Sequence, residues 1–282
     1  MNNTFTVLPM SQDLKLAAGD VYEGEITVAN PASATEDFSY VIGVAPYGVQ
    51  GEEYVADLVT ETNRTQIAKW ITIEESEGTV SPNGTAKVKY KITVPENAPA
   101  GGQYAAITVG SNPDASQGEG VAVQNIFEMA SLIYAEIEGE TVHDGGVLEN
   151  NVPGFITSTP MTVTALLDNN GNVHEKATIQ IGVKNTITGE VILPTDENAG
   201  SYGDIIMPET AHLVSHEIDG LPIVGVVDVS QTVYYNGETS TNEQTVVICP
   251  IWFMATVAVV IGAIIGIIVR MVVKRRRRKA TF

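Results

Sequence analysis

The sequence is poor in the residues that most enzymes and many small exported domains rely on. It has one cysteine, Cys249, so no disulfide can form within the chain and no cysteine-based zinc site can be assembled. It has four histidines and none of the spacings G-x-S-x-G, H-E-x-x-H, C-x-x-C or a Walker loop, so neither a catalytic centre nor a cofactor or metal site can be assigned to any residue. Basic residues are scarce outside the C-terminus. The first 250 residues hold eight Lys and Arg against 34 Asp and Glu, a balance of −26. That excludes nucleic acid as a partner, because phosphate binding needs a basic surface. Before residue 250 no twelve-residue stretch carries the apolar stripe of an amphipathic helix.

What the chain does have is one long uncharged run. Ile251 to Val269 is nineteen residues without a charge, about 28 Å as a helix, close to the hydrocarbon thickness of a bilayer. Trp252 and Phe253 stand at one end as interfacial aromatics do, and Arg270 at the other can snorkel. Lys274, Arg275, Arg276, Arg277, Arg278 and Lys279 follow; with Arg270 they set the topology, because basic residues beside a span stay in the cytoplasm. The expected layout is a cell-membrane protein with an extracellular body, a transmembrane helix over 248–273 and a basic cytoplasmic tail over 274–282. An extracellular body requires an export signal; Met1–Thr4 is not one, so the expectation is a signal peptide already removed. Within the span Ala258, Gly262 and Gly266 recur every four residues, the spacing that lets two helices approach, so a homodimer through the span is a candidate.

The body reads as β structure. Period-2 alternation marks strands at Phe5–Val7, Glu25–Val28, Ser39–Ile42, Lys87–Val94 and Thr178–Val183. In Lys87–Val94 three lysines occupy one side and Val88, Tyr90, Ile92 and Val94 the other, so the lysines form a solvated face. Turn residues such as Asn30-Pro31, Ser81–Gly84, Asn169–Asn172 and Asn236-Gly237 punctuate the chain. The predicted fold class is all-β: two immunoglobulin-like antiparallel β-sandwich domains, 1–137 and 138–247, followed by the single helix. The last strand is expected at Asp228–Tyr235, with Gly237–Val247 as the connection to the membrane.

Several side chains invite a chemical reading. His212 and His216 are four apart, but the alternation around them is that of a strand, which would hold them about 13 Å apart rather than together on a metal. Asp168–Asn172 is oxygen-rich like a cation loop but lacks the later bidentate glutamate, and reads as a hairpin turn; Asp196-Glu197-Asn198 could hold a weak cation. Glu52-Glu53 and Glu74-Glu75 read as exposed loop acids, with a hydrolytic carboxylate pair left open. Pro99, Gly101, Gly102 and Tyr104 form either an inter-strand connection or a binding loop.

A family resemblance rests on Trp70-Ile71-Thr72-Ile73, on Val80-Ser81-Pro82-Asn83-Gly84, and on Val94-Pro95-Glu96-Asn97-Ala98-Pro99-Ala100-Gly101-Gly102-Gln103-Tyr104. With Asn169–His174 and Ile248-Cys249-Pro250-Ile251-Trp252, the chain resembles the WxL-interacting cell-surface proteins of Gram-positive bacteria. The resemblance implies a peptidoglycan-binding first domain and a second domain that binds partner proteins. The expected function is a non-catalytic surface protein that presents its sandwiches to cell-wall glycan or to other surface proteins. The alternative is an accessory subunit of a membrane complex assembled through the span and basic tail.

Overall fold

The computed structural model describes residues 5–50, 53–56, 61–111, 128–194 and 201–279, and for 274–279 the backbone alone. Two compact units emerge. The first comprises Met1–Gly145 with two later segments, Asp168–Glu175 and Ile205–His212; the second comprises Gly146–Leu167, Lys176–Asp204 and Leu213–Phe282.

The first unit holds β1 (Thr6–Leu8), β2 (Ser11–Leu16), β3 (Val21–Ala29), β4 (Phe38–Gln50), β5 (Glu53–Ala56), β6 (Ile71–Ile73), β7 (Glu77–Val80), β8 (Thr85–Thr93), β9 (Gly101–Ser111) and β10 (Glu128–Ile137). One sheet runs β1-β3-β8-β6 and the other β2-β10-β9-β4-β5, with β7 beside β4. The alternation in β8 resolves as the sequence predicts: Val88, Tyr90 and Ile92 are buried, and Lys87, Lys89 and Lys91 are exposed. They meet Ile26 and Val28 of β3 and, from the other sheet, Ile42, Ile107 and Ile133 in one apolar core. Each fully buried side chain of this size stabilises the fold by about 1.5–3 kcal/mol. Strand β9 is buried on both faces, which is why it reads as a near-continuous small and apolar run instead of an alternation.

The sheets depart from the wholly antiparallel arrangement expected from the sequence, because the chain changes sheets at Pro9. β1 pairs antiparallel with β3, and β2 then pairs parallel with β10 on the other sheet. Proline offers no N–H to a ladder, so pairing stops there and can restart elsewhere. The second unit repeats the device around Pro153. β11 (Gly145–Asn151) lies beside β13 (Met161–Asn169), whereas β12 (Phe155–Ile156) pairs parallel with the last strand, β19 (Glu238–Ile248).

The second unit also holds β15 (Val191–Leu193), β18 (Gly225–Tyr235) and most of β14 (Glu175–Asn185), β16 (Ser201–Ile206) and β17 (Thr210–Ile218). Its sheets run β11-β13-β17 and β12-β19-β18-β14-β15, with β16 beside β14. Met161, Leu167, Ile179, Ile181, Val229 and Val233 fill its interior.

Two expectations need correction here. Gly237–Val247 is not a connector: residues 238–248 form β19, in register with all of β18 from Gly225↔Ile248 to Tyr235↔Glu238. Its sequence hides this because only Val246 and Ile248 of the strand are buried; backbone pairing, not an apolar face, holds the rest. Asp168–Asn172 is not a hairpin, because β13 and β14 belong to different sheets. After β19 only Cys249 and Pro250 precede the helix α1 (Ile251–Lys279), which runs on through the basic residues.

Candidate functional site

Four tyrosines stand on four neighbouring strands of the larger sheet in the first unit. Tyr134 on β10 faces Tyr104 on β9 directly, with Tyr47 on β4 and Tyr54 on β5 continuing the row. Ring centroids are 5.9 Å apart for Tyr104–Tyr134, 5.8 Å for Tyr47–Tyr134 and 6.5 Å for Tyr47–Tyr54, all edge-to-face. His174 packs on Tyr104 and Tyr134 at 5.8 and 5.2 Å, and His212 stacks on Tyr54 at 4.4 Å. The Tyr134 hydroxyl donates to that of Tyr47 at 3.2 Å. Burial pushes the hydroxyls of Tyr47, Tyr104 and Tyr134 above the ordinary phenol range. Beside the row is a cleft of about 200 Å³ lined by Tyr47, Tyr104, Arg64, Thr62, Met207 and Glu209 among others. Arg64 donates to Glu209 Oε1 at 2.9 Å. This cleft is smaller than the roughly 300–1,000 Å³ of ordinary ligand sites, and its cation already has a carboxylate partner.

The residues proposed from sequence as a binding loop lie at the start of β9. Gly101, Gly102 and Tyr104 are buried and Pro99 is half-buried, so this is an interior junction and not an exposed loop. The Gly102 N–H donates to Asn172 O at 2.8 Å, and the Tyr104 N–H to Arg64 O at 2.7 Å. Between them the fully buried Gln103 donates to Asn63 O at 2.6 Å and accepts from the Ile67 N–H at 3.3 Å. A Cβ on Gly102 would stand 1.9 Å from the Tyr104 hydroxyl, and Gly101 holds φ at +100°. The residue types are therefore dictated by close packing.

The oxygen-rich segment at the end of β13 spends its polar groups on hydrogen bonds within the protein. Asn169 Oδ1 accepts from the Gly171 N–H at 2.9 Å, Asn172 Oδ1 from the Val142 N–H at 2.8 Å, and Asp168 Oδ2 from Asn170 at 2.8 Å. Within the second unit His216 stacks on Tyr202 at 4.2 Å and lies 3.0 Å from Asp204. Among the described residues no three His, Cys, Asp or Glu side chains gather as a metal site would need. The Asp196-Glu197-Asn198 candidate, Glu52 and the side chains of Lys274–Lys279 lie outside the described residues.

A larger recess, about 530 Å³, lies in the second unit. Its walls are Val191, Leu193 and Pro194; Lys184, Asp228, Ser230, Glu243 and Thr245 supply its polar groups. Strand register brings these together: Lys184 pairs with Asp228, Asp228 with Thr245 and Ser230 with Glu243. Asp228 Oδ1 accepts from the Thr245 hydroxyl at 2.8 Å. An apolar wall over hydroxyls and two carboxylates suits a neutral or cationic ligand. No motif marks this recess, because its members are spread over the four strands β14, β15, β18 and β19 and meet only through register.

Helix α1 carries the third candidate. Ile251–Val273 has a mean hydropathy of 2.6 and none of its most apolar stretch is buried. Ala258, Gly262 and Gly266 lie along it, and a Cβ at either glycine would meet nothing within 4 Å.

No protein-family model and no curated protein sequence matches the chain. Among solved structures, the chain is similar to the class 5 fimbriae chaperone CfaA, at 14% identity over 86% of this chain and 99% of that one, with a TM-score of 0.39. A CFA/I chaperone–tip adhesin complex gives 13% identity, 86% and 98% coverage and 0.40. The CsuC–CsuE chaperone–tip adhesion subunit complex of Acinetobacter baumannii Csu pili gives 13%, 86% and 98%, and 0.39. Likenesses this loose do not transfer a function.

Proposed function

We propose that this is a non-catalytic, single-pass surface protein, similar in plan to the WxL-interacting proteins, that holds two β-sandwich units outside the membrane. The observation that carries the reading is α1: an apolar helix long enough to cross a bilayer, uncovered among the described residues, set between a strongly acidic body and a run of basic residues. A core helix of that hydropathy would be buried by its own protein. The body is a binding element for cell-wall glycan or a partner surface protein, and the recess over β14, β18 and β19 is the face assigned to that role. Its carboxylates, and the body's balance of −26, disfavour an anionic polymer and favour a neutral glycan or a protein segment. The span also serves association between two copies, through Gly262 and Gly266.

External protease on intact cells tests the topology: the body is cut and the arginine run is spared. Digestion of the arginines with the body intact ends the reading. Retention of the full-length protein, held in lipid nanodiscs, on purified peptidoglycan tests the ligand; Glu243→Arg should reduce it.

A further inference from the structure

The end of the second unit that adjoins α1 has an unusual surface. Strand register places three segments there: β12 ends at Ile156, opposite Ile248, and β18 begins at Gly225, also opposite Ile248. The Val247 N–H donates to Gly154 O, and the Cys249 N–H to Ile156 O, both at 3.0 Å. Ile223, just before β18, lines one recess with Pro250, Ile251 and Trp252. Around this point large apolar side chains are left in the open: Ile223 is 68% exposed, Trp252 59%, Phe155 52% and Val247 40%. A soluble surface rarely gathers such groups without a partner.

The charge pattern agrees. The chain has 34 acidic residues, yet residues 152–160, 220–227 and 244–269, the three segments that meet here, contain no charged residue. The polar groups beside the exposed apolar ones are the hydroxyls of Thr157, Ser158 and Thr159. Uncharged hydroxyls and apolar tips with a tryptophan are what the headgroup–acyl boundary accepts, whereas carboxylates there would be strongly disfavoured.

We propose that this end of the second unit is itself a membrane-contact surface: Ile223 and Val224, with Phe155, enter the headgroup zone of the same leaflet that α1 enters at Trp252. The inference rests on the reading that α1 crosses a bilayer. The helix start fixes the depth, and the apolar patch continues the lipid-facing surface of the span onto the body. The second unit then docks on the membrane and does not swing from Pro250.

Full-length protein carrying Cys249→Ser is placed in phosphatidylcholine nanodiscs with one environment-sensitive label on a single introduced cysteine. Ile223→Cys probes the patch, Val259→Cys the span, and Glu238→Cys the hairpin at the far end of β18 and β19, about 33 Å away by strand rise. None of the three positions is packed against the rest of the protein, so folding tolerates the labels. The expected result is that labels at 223 and 259 are protected from aqueous iodide several-fold over the label at 238. A protected 259 with 223 as accessible as 238 overturns the docked end while leaving the span intact. An accessible 259 removes the span and this inference with it.

Discussion

The side chain of Asn169 donates to the carbonyl of Ile206 at 2.9 Å, and its second amide hydrogen to Val173 at 2.8 Å. Asn169 is fully buried, and its oxygen accepts from Gly171. One amide thus joins the two late segments, residues 168–175 and 205–212, that belong to the first unit.

Replacing Asn169 by Ala takes this donor from the buried carbonyls of Val173 and Ile206, while the Gly171 N–H keeps Asp144 O at 3.1 Å. A loss of about 2–4 kcal/mol is expected, at about 1–3 kcal/mol per abandoned group less some relaxation. Urea unfolding measures it. Asn170→Ala, at an exposed neighbour, should stay within about 0.5 kcal/mol.

Tyr90 covers Gly24, its direct partner on the next strand; a Cβ on Gly24 would fall 2.2 Å from the ring. Gly24→Val is expected to cost about 1–3 kcal/mol through overpacking. Combined with Tyr90→Ala, the two losses should sum to less than their separate values, since removing the ring makes room. Additive losses would mean that the ring and the glycine are not coupled.

Alkali should unfold the body. Burial raises the hydroxyls of Tyr40, Tyr47, Tyr90, Tyr104 and Tyr134. A phenol raised in the folded state contributes stability that is complete below its unfolded value, about 10, and is lost as pH rises through the folded value. The melting temperature should therefore fall steeply above about pH 10, with phenolate absorbance appearing together with loss of β signal. Tyrosines that ionise freely while the sheets persist would contradict this.

Gly262→Ile with Gly266→Ile should abolish self-association of the span in a membrane reporter assay, because bulky side chains hold two helices apart. An unchanged signal removes the homodimer from the proposed function.

The sequence was most legible where one face of a strand is buried. Lys87–Thr93 announces itself because every second residue enters the core. β19 does not, since Thr239–Thr245 has no buried residue to betray its period; its place comes from pairing with β18. Gln103 in an apolar run, and glycines beside it, resemble a loop in one dimension. In three they are an interior junction whose partners, Asn63, Arg64 and Asn172, are 40 to 70 positions away. The tyrosine row and the recess over β18 share that illegibility, because cross-strand register decides which side chains become neighbours.

Strand β19 passes to α1 through Cys249 and Pro250 alone, and it is flanked by β18 on one side and β12 on the other. Tension drawn through the helix would arrive along the axis of that strand. Its ladder with β18 extends over eleven residue pairs and would be loaded in shear, all rungs at once instead of one after another. Such a junction would resist pulling better than a peeled hairpin, so force drawn through the helix would not strip β19 from its sheet one rung at a time.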